Sequence, residues 1–251
     1  FLGINQIPHL SSYILTAFTI IVVTNSFNLI DGVDGLAGSL GLLTSAIFGI
    51  YFYFTGELMY SVMALSLSGT LIAFLIYNFS PAKIFMGDTG SLLIGLLNSI
   101  FAIKFIAVAA NPESALPLLS APAIAFAILI VPLFDTLRVF SLRIFNRRSP
   151  FSPDRNHIHH FLLDIGLSQR MITVVCVTAN LVFIGLAYLL RSQGTTMVIA
   201  ALATAALLFV TVIYYSRPKT KFASTEARER EGEIIKSHKI LTLANETVEQ
   251  D

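Results

Sequence analysis

Long apolar runs separated by short polar segments occupy most of the first 215 residues of this chain. Each run has about 20 residues, the length that an α-helix needs to cross the hydrocarbon core of a membrane. The pattern predicts an all-α fold, a polytopic membrane bundle with seven transmembrane helices. The predicted spans are residues 11–30, 37–55, 60–78, 91–109, 121–141, 171–190 and 196–215.

The distribution of basic residues predicts how this bundle is oriented. The polar segments that follow the second and fourth predicted spans contain no Lys or Arg, whereas the segment after the fifth span is rich in arginine. Residues 216–251 contain seven of the sixteen basic residues. Because basic segments stay in the cytoplasm, we expect residues 1–215 to form a transmembrane domain and residues 216–251 a polar cytoplasmic tail.

The composition agrees with a membrane protein. Hydrophobic residues make up 55% of the 251 residues and charged residues only 12%, whereas a soluble domain needs a more polar exterior. The net charge of +1 gives no indication of nucleic-acid binding. The single cysteine, Cys176, lies inside a predicted span, so no disulfide framework is expected.

Four polar side chains lie at the end of the first span and directly after it: Asn25, Asn28, Asp31 and Asp34. The first three share one helical face, because neighbours on a helix recur every three to four residues. Charged groups at a membrane boundary are costly unless they serve a function. One such residue would suffice as a helix cap, so four of them indicate a site for a cation or a phosphorylated ligand.

A second polar segment, residues 78–91, joins the third and fourth spans. Asp88 lies between two glycines before a predicted helix, where its carboxylate could bind Mg²⁺ and the first helical amides could bind phosphate oxygens. Lys83 could place a point charge on a phosphate. Phe85 could stack on a base or lie buried. The segment Gly87-Asp-Thr-Gly90 alone is equally typical of an ordinary turn.

A third segment concentrates histidines: His157, His159 and His160 lie within four residues, and Arg155 is one of several arginines beside them. No cysteine is nearby and the spacing is unusual for zinc, so the segment favours an anion such as a diphosphate. The alternative is a solvated basic loop. Asp135, near the end of the fifth span, is a further candidate, although Arg138 could simply neutralise it.

Three motifs therefore follow one another: Asn25-x-x-Asn28-x-x-Asp31-Gly-x-Asp34-Gly-Leu-Ala, Phe85-Met-Gly-Asp88-Thr-Gly-Ser and Pro153-Asp-Arg-Asn-His157-Ile-His159-His160. From about residue 13 to 165 the chain resembles the polyprenyl-phosphate N-acetylhexosamine-1-phosphate transferases. The resemblance implies transfer of a sugar 1-phosphate from a UDP-sugar to undecaprenyl phosphate, with release of UMP. The histidine motif resembles the branch that uses UDP-N-acetylglucosamine. The alternative is another UDP-N-acetylhexosamine, including UDP-MurNAc-pentapeptide.

The resemblance also implies cofactors, location and residue roles. It implies a Mg²⁺-dependent enzyme of the bacterial inner membrane, with its site facing the cytoplasm; Mn²⁺ could replace Mg²⁺, and the protein could form a homodimer. Asp88 would be the metal ligand, with Asn28 as a second candidate. The catalytic residues would be Asp31, Asp34, His157, His159 and His160. The substrate-binding residues would be Asn25, Asn28, Asn78, Lys83, Phe85 and Arg155.

One part of the family pattern has no match here. The family has a paired-aspartate motif in an earlier cytoplasmic loop, and this chain has none and does not begin with Met. We therefore expect a chain that starts within a longer protein and is inactive by itself. Two other classes remain: a secondary transporter, which would place its polar groups near the midplane between repeated halves, and a non-catalytic membrane scaffold.

Overall fold

The computed structural model describes residues 8–147, 149 and 156–218. All regular structure within these ranges is helical, which confirms the predicted all-α fold. The helices are α1 (His9–Ile30), α2 (Leu36–Phe54), α3 (Leu58–Asn78), α4 (Gly87–Ala109), α5 (Ala121–Ile128), α6 (Ile130–Phe145), α7 (Ile158–Asp164), α8 (Gln169–Leu189) and α9 (Thr195–Tyr215), with a 3₁₀ turn at Arg191–Gln193.

Six of these helices are long and apolar enough to cross a membrane, namely α1, α2, α3, α4, α8 and α9. They coincide with six of the seven predicted spans, and the chain is a multi-pass membrane protein. The helices bury one continuous apolar core, in which the large side chains Phe48, Phe52, Phe101 and Phe105 are fully enclosed. Of the predicted tail, only residues 216–218 lie within the described ranges.

The predicted fifth span is broken: α5 and α6 are bent by 83° where they meet. Pro132 explains the break, because it has no N–H to give to the carbonyl of Ile128. Asn180 of α8 donates to that carbonyl over 3.0 Å, and its side-chain oxygen accepts the N–H of Val131 over 3.2 Å. One buried amide thus satisfies the backbone groups that the bend frees. The predicted span at residues 121–141 thus consists of two helices, which together are the seventh span if the pair crosses the membrane once.

Helices α1 and α4 pack together very closely. A Cβ atom at Gly95 of α4 would lie 2.6 Å from the Cα atom of Thr24 in α1, so only glycine allows this approach. Small residues permit the same close packing at other helix pairs inside membranes. Asn28 lies one turn beyond Thr24, and Asp88 opens α4 two turns before Gly95. The close packing therefore brings two of the candidate site residues together.

The helix ends alternate between two faces of the bundle. The segments that follow α1, α3 and α6 meet at one face, called the polar face below. Arg170 at the start of α8 donates to the carbonyl of Ser80 after α3, and Arg217 after α9 pairs with Asp164 of α7. The opposite face carries the ion pair of Glu57 and Lys104, at 2.7 Å. The three polar segments of the sequence thus share one face.

Candidate active site

A direct hydrogen bond joins the first and second polar segments. The amide nitrogen of Asn28, in the last turn of α1, donates to Asp88 Oδ1 over 3.2 Å and to Ser91 Oγ over 3.0 Å. Asp88 is exposed in the first turn of α4, where a negative charge interacts favourably with the helix dipole. The amide of Asn28 thereby orients one carboxylate oxygen of Asp88 and leaves the other to a ligand.

Asp31 adds a second carboxylate beside Asp88. It ends α1 and is half-buried. Burial, together with the smaller effect of the negative charge of Asp88, raises the pKa of Asp31 to about 6. Two carboxylates whose charges repel in a partly buried site indicate that the site is suited to a cation. A perturbed carboxyl of this kind is also typical of functional sites.

These groups fit a hard divalent cation. Within the described ranges, no three His, Cys, Asp or Glu side chains surround a common point, so the site does not suit a metal held entirely by protein. Mg²⁺ usually keeps several waters and takes one or two carboxylates together with substrate phosphates. Asp88, with Asp31 beside it and the side-chain oxygen of Asn28, could supply the protein ligands of such a set.

The third segment packs directly against the first. The ring of His159 lies over Gly32, where a Cβ atom would be 2.4 Å from Nε2 of the imidazole. A residue with a side chain would overlap the ring, so glycine is required at this position. His159 is therefore the link between the histidine segment and the turn that follows Asp31.

The three histidine rings form one layer. The rings of His157 and His159 are stacked with centroids 5.6 Å apart, and the ring of His160 lies 4.3 Å from that of His159. Burial, together with the smaller effect of the charge of His160, lowers the pKa of His159 to about 4. His159 is thus neutral near pH 7. Its Nδ1 atom is buried and has no hydrogen-bond partner in the described part of the chain.

Asp135 anchors this layer from α6. The carboxylate is buried; its Oδ2 lies 2.8 Å from Nδ1 of His157, and its Oδ1 accepts the N–H of Ile158 over 3.0 Å. Arg138 bonds the same oxygen over 2.9 Å and also donates to the carbonyl of Asn156. Arg138 does neutralise Asp135, as the spacing allowed, but the pair also holds three consecutive residues of the histidine segment.

Two further candidates, Asn78 and Asp34, form side-chain hydrogen bonds within the protein. The amide of Asn78 is buried; its oxygen accepts the N–H of Gly35 over 3.0 Å and its nitrogen donates to the carbonyl of Ile84 over 2.8 Å. Asp34 Oδ2 accepts the N–H of Ala82 over 3.0 Å. Both side chains join the first polar segment to the second. Asp34 retains one carboxylate oxygen for a ligand, whereas both polar atoms of Asn78 are in use.

The remaining predicted residues stand apart from this network. Asn25 donates to the carbonyl of Ile21 in its own helix over 2.8 Å, one turn deeper than Asn28. Lys83 is exposed, and Phe85 has 79% of its surface exposed, so neither is packed in the core. Arg155 lies outside the described residues.

Several residues of the network were missed in the sequence. Ser91 follows Asp88 by three positions, so its place on the same helical face was a usable signal. Gln169 accepts the N–H of Asp34 over 3.2 Å, and Thr173 donates to the Asp34 carbonyl over 3.1 Å. These two lie four residues apart at the start of α8, again on one face, but nothing in the sequence identified Asp34 as their partner.

Comparison with known proteins now adds to the geometry. The family model described as glycosyl transferase family 4 matches residues 1–106, which include Asn28, Asp31 and Asp88. The chain belongs to glycosyl transferase family 4. The match to the family ends before the histidine segment, so the histidines are tied to the family site by the contact of His159 with Gly32.

Curated relatives of the family extend the comparison. Over 181 residues the chain is 37% identical to the probable undecaprenyl-phosphate N-acetylglucosaminyl 1-phosphate transferase of Bacillus subtilis strain 168, covering 72% of this chain and 49% of that protein. Over 225 residues it is 33% identical to the decaprenyl-phosphate N-acetylglucosaminephosphotransferase of Mycolicibacterium smegmatis, covering 84% and 55%.

A third curated relative comes from a different bacterium. It is the undecaprenyl-phosphate alpha-N-acetylglucosaminyl 1-phosphate transferase of Escherichia coli K12, which is 32% identical over 171 residues, covering 66% of this chain and 45% of that protein. The chain thus spans about half the length of the curated relatives it matches. All three relatives carry names that specify transfer of an N-acetylglucosamine phosphate to a polyprenyl phosphate.

Proposed function

We propose that this protein transfers N-acetylglucosamine 1-phosphate from UDP-N-acetylglucosamine to undecaprenyl phosphate, releasing UMP. The product would be a lipid-linked diphosphosugar for the synthesis of a cell-envelope polysaccharide. The observation that carries the proposal is the meeting of the three polar segments at one face: Asn28 bonds Asp88, and His159 lies against Gly32. The names of the curated relatives support the same reaction.

The site is suited to joining two anionic reactants. A nucleotide diphosphate sugar and a lipid phosphate repel each other, and Asp31 and Asp88 add negative charge. Mg²⁺, or Mn²⁺ in its place, would offset this charge on the phosphate oxygens and stabilise the departing UMP. Asp88 would hold the ion, Asn28 would orient Asp88, and Asp31 would lie beside it. Asp34 would contribute its free oxygen to the nucleotide end.

The histidine layer forms the opposite wall. His159 closes the turn after Asp31 without adding positive charge, because its ring is neutral near pH 7. His157 and His160 on either side of it would bind phosphate oxygens. Phe85 and Lys83, which are exposed at the same face, are available to a base and a phosphate respectively. Arg155 would join them as a phosphate-binding residue.

The lipid substrate and the positions of the basic residues indicate on which side of the membrane the site lies. Arg147 and Arg170 lie on the polar face with the site, and basic residues favour the cytoplasmic side of a membrane. We therefore place the site at the cytoplasmic face of a bacterial inner membrane, where a soluble UDP-sugar and a lipid phosphate can meet. The membrane lipid itself, the UDP-sugar and undecaprenyl phosphate are the partners; a homodimer is compatible with this arrangement.

One assay separates the proposal from its rivals. Membranes that contain the full-length protein, which is also used in every activity measurement below, are incubated with undecaprenyl phosphate, MgCl₂ and UDP-N-acetylglucosamine labelled in the sugar. Label in the lipid fraction together with stoichiometric UMP supports the transferase. Label enclosed in vesicles would favour a transporter, and label in neither place would favour a scaffold. A parallel reaction with UDP-MurNAc-pentapeptide identifies the donor: transfer from it alone would contradict the proposed UDP-N-acetylglucosamine.

A further inference from the structure

We propose that Asp135 is a positioning residue that accepts the Nδ1 proton of His157, so that Nε2 is the nitrogen this histidine offers to a phosphate oxygen. The inference rests on the proposed function for the identity of that phosphate. The position of the proton on the His157 ring is inferred from the geometry alone. The inference assigns a role to the one carboxylate of α6, which lies outside the three sequence motifs.

The donors around Asp135 fix its charge state. Oδ1 accepts two N–H groups, from Ile158 over 3.0 Å and from the Arg138 guanidinium over 2.9 Å. Arg138 is always positively charged in proteins. A carboxylate with these partners is ionised, and an ionised carboxylate can only accept hydrogen bonds. The contact of 2.8 Å between Oδ2 and Nδ1 of His157 therefore requires the proton to be on Nδ1.

That assignment determines what the other edge of the ring can do. In histidine the hydrogen bond of one ring nitrogen sets the protonation of the other. With Nδ1–H bound to Asp135, a neutral His157 has a lone pair on Nε2, and a charged His157 has an N–H there. Nε2 of His157 has no hydrogen bond to any residue in the described ranges, and the ring stacks on His159, which lies against Gly32.

Asp135 and Arg138 form more hydrogen bonds than the neutralisation of their charges requires. An ion pair at positions i and i+3 of one helix could satisfy itself. Here Arg138 also bonds the carbonyl of Asn156, and Asp135 bonds both the side chain of His157 and the N–H of Ile158. Three consecutive residues are thus held at the start of α7. This arrangement fixes both the tautomer and the direction of the His157 ring.

The first test reads the proton directly and requires no turnover. The protein, labelled with ¹⁵N-histidine, is placed in lipid nanodiscs, and the ring-nitrogen signals are recorded by magic-angle-spinning NMR. A His157→Gln variant assigns the His157 pair. We expect a proton on Nδ1 of His157 in the wild type, whether the ring is neutral or doubly protonated. In Asp135→Leu, which offers no acceptor, a neutral His157 ring should lose this preference for the proton on Nδ1. Asp164→Asn, which removes a carboxylate bonded to Arg217, should leave the His157 signals unchanged.

A neutral His157 with its proton on Nε2 in the unaltered protein would overturn the inference. So would a tautomer that Asp135→Leu leaves unchanged in a folded protein. Because these signals do not depend on catalysis, they stand even if the proposed transferase activity fails.

The second test separates positioning from simple support of the fold. Removal of a group that orients a metal-binding histidine typically costs about 10- to 100-fold in affinity or activity, and by analogy we expect Asp135→Asn to lower kcat by a similar factor per folded protein. Asp135→Glu should recover part of the loss, because it keeps the carboxylate. In a His157→Gln background, Asp135→Asn should cost little more. A loss that adds in full to that of His157→Gln, or an unchanged kcat with a lower folded yield, would overturn the role.

Discussion

The imidazole of His159 occupies the space in which a side chain at Gly32 would begin, with Nε2 2.4 Å from the Cβ position. Gly32 directly follows Asp31, and His159 is buried between His157 and His160. The turn after α1 and the start of α7 therefore contact each other through the imidazole ring of His159. Movement of that ring would change the distance between the carboxylates and the histidines.

Replacement of Gly32 by alanine should move the histidine segment away from the turn that follows Asp31. His159 cannot easily rotate away, because its ring is buried, so the added methyl group would displace either α7 or the turn. Overpacking of this kind typically costs about 1–3 kcal/mol. We expect Gly32→Ala to lower the thermal unfolding temperature, followed by circular dichroism in detergent, and to reduce transferase activity per folded protein by at least about tenfold, the equivalent of 1.4 kcal/mol.

Gly69→Ala provides the matched control for this change. Gly69 lies in α3, and a Cβ atom there would have no heavy atom within 4 Å. In a helix alanine is more favourable than glycine by about 1 kcal/mol, so Gly69→Ala should retain activity and unfold at the same or a higher temperature. If Gly32→Ala matches Gly69→Ala in both properties, His159 does not lie where the structure places it.

Asn180 should be essential for the bend between α5 and α6. In Asn180→Leu the carbonyl of Ile128 and the N–H of Val131 lose their partner. Each buried group left without a hydrogen bond costs about 1–3 kcal/mol. We expect a clear drop in unfolding temperature and faster hydrogen exchange at the amides of residues 128–131. Thr178→Leu changes an exposed residue of the same helix and should leave both properties unchanged.

The bend shows what could be predicted from the sequence and what could not. Six spans follow directly from the length of their apolar runs, because lipid requires that every backbone group be satisfied within a helix. Pro132 and Asn180 were both visible as exceptions inside apolar runs. Each alone is compatible with a continuous helix, and only their meeting in space identifies a broken span that is repaired by an amide.

The same limit applies to the site. The three polar segments follow the first, third and fifth predicted spans, so spans of alternating direction place them on one face, and the structure brings them together. The individual partners were not predictable, because hydrogen bonds across 43 to 139 positions depend on helix packing. Asn78 illustrates the point: the family resemblance grouped it with substrate-binding residues, and the structure adds that its amide connects Gly35 with Ile84. Asp135 gained its partner, His157, only through the fold.

The buried His159 should make the protein less stable in acid. Its pKa is about 4 in the folded protein, against about 6.5 in an unfolded chain. Between these values the unfolded state binds more protons, so stability that is fully present above pH 6.5 is lost as the pH falls toward 4. The full difference is at most about 3 kcal/mol, at 1.36 kcal/mol per pKa unit. Unfolding temperatures measured from pH 7.5 to 4.5 test this.

Protonation of Asp31 has the opposite effect on stability, so its contribution must be distinguished from that of His159. The pKa of Asp31, about 6 when folded and 3.8 ordinarily, means that the folded protein gains stability from its protonation as the pH falls below 6. We therefore compare the wild type with His159→Gln, in which the acid loss due to His159 should disappear and the Asp31 contribution should remain. His9→Gln, which changes an exposed imidazole at the start of α1, is the control. Parallel curves for the wild type and His159→Gln would contradict a neutral buried ring.

Asp88→Asn should abolish turnover while the fold is kept. Asp88 is exposed and its hydrogen bond with Asn28 can be retained by an amide oxygen, so the unfolding temperature should not fall. The variant loses a charge beside the reacting phosphates, and loss of one electrostatic group at a transition state typically costs about 10²- to 10³-fold in kcat.

UMP release at saturating UDP-sugar, measured over a series of Mg²⁺ concentrations, gives both kcat and the metal requirement. Removal of Mg²⁺ with EDTA should stop the wild type, and Mg²⁺ should restore it, but no concentration should restore Asp88→Asn. Glu113→Gln, at an exposed acid on the opposite face, should behave as the wild type. An Asp88→Asn protein with wild-type kcat and Mg²⁺ dependence would remove Asp88 from the metal site and leave Asp31 as its remaining carboxylate candidate.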